Sequence, residues 1–193
     1  MKIAFFDFDG TLTRHDSFIG FAKFCVGKCA YYKALLKSLP ALIQWKLGLK
    51  SNSEAKQELF SHLYRGLDYA RFKESGYKYA KFIERDLRKD VFEILNHHKQ
   101  SGHKIVIVSA SIGDWIRKWA LDNGVDHVIA TEVEIDEVGK ISGNFRTRNC
   151  HGAEKVSRIL ELFPNFEEFE TWGYGDSRGD EAMLSKVSHS KMV

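Results

Sequence analysis

Asp7 and Asp9 stand two residues apart in DFDGT, directly after the apolar run IAFF. Asp176 and Asp180 stand four apart in GDSRGD, directly after ETWGY. Between these pairs, Ser109 closes the run HKIVIVS and Lys155 follows in CHGAEKV. Carboxylates gathered on one rim repel each other and are costly to keep ionised without a cation among them. Oxygen-only ligands from aspartates suit Mg²⁺, which also shares the oxygens of a bound phosphate. A lysine and a serine hydroxyl alongside are phosphate ligands. Brought together, the six residues imply a centre for Mg²⁺ and a phosphoryl group. One aspartate could attack phosphorus. A second, two residues on, could act as acid to the leaving group and base to water.

Taken singly, each residue has a plainer role open to it. An aspartate after a strand often caps a helix or makes a turn, and Asp176 could cap a helix beginning near Gly179. Ser109 could be a turn hydroxyl and Lys155 a solvated helix residue. A calcium loop starting at Asp7 would need glycine and glutamate where Leu12 and Phe18 stand, so calcium is excluded. Gly173 and Gly175 lack the third glycine of a dinucleotide loop at the required spacing.

For the six to meet, they must sit on one edge of one sheet. Lys2 to Phe8 and His103 to Ser109 read as buried strands. His127 to Ala130 and Thr171 to Tyr174 read as two more. Helices are expected over Ile112 to Asn123, closed by Gly124, over Gly152 to Leu162 and over Gly179 to Val187. TEVEIDEVGKISGNFRT alternates about a glycine-containing turn and predicts a hairpin. The class is therefore α/β, a Rossmann-like doubly wound parallel sheet whose ligands lie beyond the carboxyl ends of the strands. Ser17 to about Arg85 interrupts the alternation with mostly helical sequence, with turns near Gly48 to Ser53 and Gly66 to Asp68. That block predicts a helical cap, residues 15–86, inserted into a core made of 1–14 and 87–193.

The 193 residues suffice for one domain with an insert, and 44% hydrophobic content suffices for its core. A net charge of +3 is too mild to point to nucleic acid. Cys25, Cys29 and Cys150 form no framework spacing and are expected as reduced thiols in a cytoplasmic protein. Acids within seven residues of the start argue against a signal peptide, and no run reaches the roughly 18 apolar residues of a membrane span.

The ordered set of DFDGT, an apolar strand ending in Ser109, Lys155 and GDSRGD resembles the haloacid dehalogenase superfamily of phosphohydrolases. VSAS, the hairpin, CHGAEK and an insert placed directly after the first motif resemble its branch containing phosphoserine phosphatase. The resemblance implies a Mg²⁺-dependent phosphomonoester phosphatase with an aspartyl-phosphate intermediate. Asp7 would be nucleophile and metal ligand, and Asp9 general acid/base and metal ligand through its main-chain carbonyl. Gly10, Ser109, the amide of Ala110 and Lys155 would hold phosphate. Asp176 would complete the metal site, and Asp180 would support it and orient Lys155.

Asp16 stands seven residues after Asp9, where phosphoserine phosphatases carry a substrate-reading glutamate, and is the candidate for that role. Gly179 stands where their final motif has asparagine. VSHSKMV looks like the start of a truncated edge strand. Ser17 to Ser53 holds six lysines and no acid, interleaved with YYKALLKSLPALIQWKLGL. The stretch is either a cap helix with a solvated lysine face or a peripheral docking surface for anionic membrane. CHGAEK and GYGDSRGD also resemble phosphatidylglycerophosphate phosphatases, so the substrate is expected to be a small or amphiphilic phosphate ester. Two alternatives are a phosphotransferase or mutase on the same scaffold and a non-catalytic phospho-acceptor switch. Asp9 argues against the switch, because it favours hydrolysis of the acyl phosphate.

Overall fold

Burial alternates along the first strand. Ile3 and Phe5 pack on one side and Ala4 and Phe6 on the other, all fully buried. Such two-sided burial marks a central strand covered on both faces. The computed structural model describes residues 1–193. Its strands are β1 (Lys2–Phe6), β2 (Lys104–Ile112), β3 (His127–Thr131), β4 (Val133–Ile135), β5 (Ile141–Phe145), β6 (Glu170–Gly175) and β7 (His189–Met192). Five of them form a parallel sheet in the order β3-β2-β1-β6-β7. The chain moves outward from β1 through β2 to β3, then returns to the other side of β1 for β6 and β7. The carboxyl ends of β1 and β6 therefore flank the topological switch point, where such sheets bind ligands.

The helices are α1 (Ser17–Cys25), α2 (Lys28–Lys37), α3 (Leu39–Lys46), α4 (Asn52–Tyr64), α5 (Tyr69–Arg85), α6 (Lys89–Gln100), α7 (Gly113–Asp122), α8 (Ala153–Leu162) and α9 (Glu181–Leu184). Helices α1 to α5 all lie between β1 and β2. The strands of chain entering and leaving that block run side by side: the Arg14 amide donates to Asp86 and the Arg88 amide to Leu12, at 2.9 and 2.8 Å.

Two apolar clusters fill the interior. The smaller joins Ile3, Phe5, Val106 and Val108 to Ile159 of α8 and to Met183 and Leu184 of α9. The larger joins Ala4, Phe6, Ile105 and Ile107 to Val91 and Leu95 of α6 and to Trp115 and Trp119 of α7. It continues without a break into the insert through Phe18, Phe21, Tyr64 and Phe72. Phe21 stacks on Trp115 with ring centroids 4.6 Å apart.

The expected hairpin is β4–β5, antiparallel, with Asp136 Oδ1 accepting from the amides of Val138 and Lys140 in its turn. It buttresses α4: Gly143 of β5, at φ +95°, leaves no room for a Cβ beside Ser61. Three expectations are corrected in extent. The first strand ends at Phe6 rather than Phe8, because residues 7–14 already turn toward the insert. The second runs on to Ile112, with a register shift between Ser109 and Ile112. The last helix is a 3₁₀ turn, Arg178–Asp180, followed by only the four residues of α9. Helix α6 goes beyond the expectations; its Val91 and Leu95, one turn apart, bury against the sheet. VSHSKMV does form an edge strand, β7, and all four of its residues are exposed. No helix is long and apolar enough to cross a membrane.

Candidate active site

The strand ends deliver the acids. Asp7 leaves β1 with its amide donating to the Tyr174 carbonyl of β6, 2.9 Å away, which ties the first motif to the last. Gly10 then turns the chain at φ +84°. Only glycine fits there, since a Cβ would run into the Asp176 carboxylate, and the Gly10 carbonyl is held by Arg88 Nη1 at 2.9 Å. Thr11 Oγ1 lies 3.3 Å from Asp7 Oδ2 and 3.2 Å from Asp176 Oδ1.

Lys155 sits in the first turn of α8, only 1% exposed. Its ammonium donates to Asp7 Oδ1 at 2.5 Å, to Asp180 Oδ1 at 2.6 Å and to the Val108 carbonyl at 2.7 Å. All three donor positions are used. Burial works against its charge, but the facing carboxylates of Asp7 and Asp180 hold it above the ordinary lysine value. Asp180 is itself fixed: its Oδ2 accepts from the amides of Asp176 and Ser177 and from Ser177 Oγ. Asp7 is raised from 3.8 to about 7, first by burial and then by the charges of Asp180 and Asp9, with Lys155 opposing.

Asp9 turns toward the insert. Its Oδ1 accepts from the Ser17 amide at 2.7 Å, and its Oδ2 accepts a short hydrogen bond from Ser111 Oγ. Ser17 Oγ in turn accepts from Trp115 Nε1 at 2.9 Å. Burial, reinforced by the charge of Asp16, raises Asp9 above its usual range, which suits a group that must carry a proton. Ser109, buried in β2 where its register shifts, accepts from the Ser111 amide at 3.0 Å. The Ala110 carbonyl accepts from Lys56 Nζ at 2.9 Å and from Thr131 Oγ1 at 2.8 Å.

These groups open on a cavity of about 510 Å³ between the strand ends and the insert. All the predicted residues meet there or directly behind it. Asp7, Asp9, Asp16, Ser109, Ala110, Lys155 and Asp180 line the cavity; Gly10 and Asp176 border Asp7. Asp16 has a second task, since its Oδ1 caps α1 at the Ile19 amide, 3.1 Å away. Four residues of the site were not foreseen. Ser111 follows Ser109 on the same side of the chain. Asn149 and His151 precede Lys155 on its loop. Lys56 comes from the insert, and burial lowers it from the ordinary lysine value against the opposing charges of Asp16, Asp9 and Asp7.

Asp7, Asp176 and Asp180 place carboxylate oxygens within 4.8 Å of one another. Asp180 is spent on Lys155 and the loop amides, whereas Asp7 Oδ2 and Asp176 Oδ1 share only the Thr11 hydroxyl. That leaves a hard, oxygen-only pair facing one point, a donor set that fits Mg²⁺.

Residues 4–185 match the family model for haloacid dehalogenase-like hydrolases. Protein CicA of Caulobacter vibrioides is 32% identical over 181 residues, which cover 93% of this chain and 80% of CicA. Probable phosphatase Rv3661 of Mycobacterium tuberculosis is 27% identical over 197 residues, covering 98% of this chain and 68% of that one. The crystal structure of phosphoserine phosphatase in its apo form superposes with a TM-score of 0.65 at 18% identity, over 98% of this chain and 84% of that one. The chain belongs to the haloacid dehalogenase-like hydrolases and shares its fold with phosphoserine phosphatase.

Proposed function

We propose that the chain is a Mg²⁺-dependent phosphomonoester phosphatase that passes through an aspartyl phosphate on Asp7. The observation that carries this reading is the division of labour between two carboxylates two residues apart. Asp7 is pinned by Lys155 at the strand end, while Asp9 is held apart by Ser17 and Ser111. Asp7 Oδ1 or Oδ2 attacks phosphorus, the ester oxygen leaves, and Asp9 gives that oxygen its proton. Asp9 then takes a proton from water as the water attacks the acyl phosphate, which returns Asp7 as carboxylate. Lys155 and the Ser109 hydroxyl hold the phosphoryl oxygens and offset their charge. Mg²⁺, held by Asp7 and Asp176, would neutralise charge that develops on those oxygens.

The substrate reading follows from the cavity wall. Phe18, Ile19, Leu35, Leu42 and Trp45 form an apolar side opposite the acids. Asp16 and Lys56 are the charged groups the insert adds to the cavity. This supports a phosphate ester of an amphiphilic alcohol over one as small and polar as phosphoserine. The test measures phosphate release from p-nitrophenyl phosphate, phosphoserine and micellar phosphatidylglycerophosphate, with Mg²⁺ and with EDTA. Asp7→Asn should lose about 1,000-fold or more on every substrate. Acid-quenched wild type should carry phosphate on Asp7 that hydroxylamine removes. Turnover that survives in Asp7→Asn would overturn the nucleophile, and a preference for phosphoserine would overturn the amphiphilic substrate.

A further inference from the structure

Seven large apolar side chains stand exposed within eighteen residues of the insert: Tyr32, Leu36, Leu39, Ile43, Trp45, Leu47 and Leu49. The whole chain exposes seventeen, so this short stretch carries a share far above its length. The largest exposures are Leu36 at 65%, Leu47 at 68% and Leu49 at 76%. The arrangement follows from how α2 and α3 pack. Tyr31, Ala34, Ser38 and Ala41 turn inward and are buried. Tyr32, Leu36, Leu39 and Ile43, each three or four residues beyond the last, therefore share the outward side. Apolar groups concentrated in this way mark a surface that another phase or molecule covers.

The charge around them is of one sign. Lys28, Lys33, Lys37 and Lys46 lie on the same two helices and none forms an ion pair. Lys50 is neutralised by Glu58 at 2.5 Å, and Lys23 lies over the Tyr31 ring. No acid occurs anywhere from Ser17 to Ser53. The inner side of the same helices supplies Tyr31, Leu35 and Leu42 to the wall of the catalytic cavity, and Trp45, 39% exposed, stands at its edge. The exposed face is thus the outer lip of that cavity.

We infer that the outer face of α2 and α3, with the turn that follows α3, docks on an anionic membrane surface, with Leu36, Ile43, Leu47 and Leu49 entering the acyl boundary and the unpaired lysines meeting the headgroups. Aliphatic side chains interleaved with lysines on a helix face are what such an interface selects. A second copy of the chain would oppose lysine to lysine across a two-fold axis. A nucleic acid would answer the charge and leave the leucines in water. Docking here sets the cavity mouth against the bilayer. The inference stands on the outer face alone, so it does not need the proposed chemistry to be right.

The experiment is co-sedimentation with vesicles of phosphatidylcholine alone and of phosphatidylcholine mixed with phosphatidylglycerol, at low and high salt. Mg²⁺-dependent hydrolysis of p-nitrophenyl phosphate is measured in parallel. The wild type should pellet with the mixed vesicles and be released by salt. Lys33→Ala combined with Lys37→Ala should weaken partitioning roughly 30-fold. Leu36→Ser combined with Leu49→Ser should abolish it at low salt, where the wild type binds. Both variants should keep wild-type activity on the soluble ester, which shows that they fold. Wild type that stays in the supernatant with mixed vesicles would overturn the docking. So would equal binding to both vesicle types, variants that bind as wild type, or leucine variants that instead dissociate a dimer. Loss of soluble-ester activity in the wild type would count against the proposed chemistry and leave the sedimentation result readable.

Discussion

Lys155 holds two buried carboxylates apart and charged at once, so its removal has a calculable consequence. Lys155→Met should cost about 3–5 kcal/mol, because Asp7 and Asp180 would face each other with no cation between them. The loss should shrink as pH falls, because without Lys155 to hold it down Asp7 takes up its proton at a higher pH than the wild type's value of about 7 and the repulsion is relieved. Thermal melts of the variant and wild type across that range test it. The same raised value couples cation binding to a proton. Below about 7 the proton competes with Mg²⁺ for Asp7, so Mg²⁺ affinity should rise with pH and binding should release protons. Calorimetry in two buffers of different ionisation enthalpy reads that release directly. At this scale Asp7, Asp9, Ser109 and Asp176 were legible because each closes or follows an apolar run, and Lys155 and Asp180 because they stand in ordered motifs with them. Lys56 was not legible, since one lysine in a helical block carries no local mark of the direction it faces. Lys56→Met should raise KM several-fold and change kcat less, measured on the same soluble ester.

Elements were legible where their periodicity was unmixed. HKIVIVS and IAFF gave strands because two-sided burial leaves nearly continuous apolar runs. Helix α6 escaped because LRKDVFEILNHHKQ buries one narrow stripe and is polar elsewhere. Asp180 fixes where the last helix starts: its carboxylate closes a capping box on the Ser177 amide and also accepts from the Asp176 amide. Among these elements α4 carries the one basic residue that the insert adds to the cavity, Lys56. Its start is a capping box, with Ser51 and Glu54 each bonding the other's backbone amide. Ser51→Ala should cost about 1 kcal/mol, read in chemical denaturation. It should also raise KM slightly, because Lys56 lies in the second turn.

At the scale of the molecule, the pH response should differ from that of the catalytic centre. His98 is buried on the far side of α6, bonded to Tyr174 Oη and facing His103, each at 2.8 Å. Burial, with the neighbouring His103, lowers it from 6.5 to about 4. Between those values the unfolded chain binds a proton that the folded one refuses, so stability should fall as pH drops from 6.5 toward 4. His98→Gln should flatten that part of the stability curve, as followed by melting temperature against pH. The helical block between β1 and β2 was legible from the break in the strand–helix alternation, but its attachment was not, because contacts between distant aromatic residues leave no pattern in the chain. Phe18, Phe21 and Phe72 share a cluster with Trp115 and, through it, with the sheet. Amide hydrogens of α1 and α5 should then exchange with solvent only as slowly as those of β1 and β2, all opening in a single cooperative event. An insert welded to its scaffold in this way cannot swing as a lid. Entry and exit of any ligand then fall to the short pair α2 and α3, which bury only Tyr31, Ala34 and Ala41 and should exchange fastest.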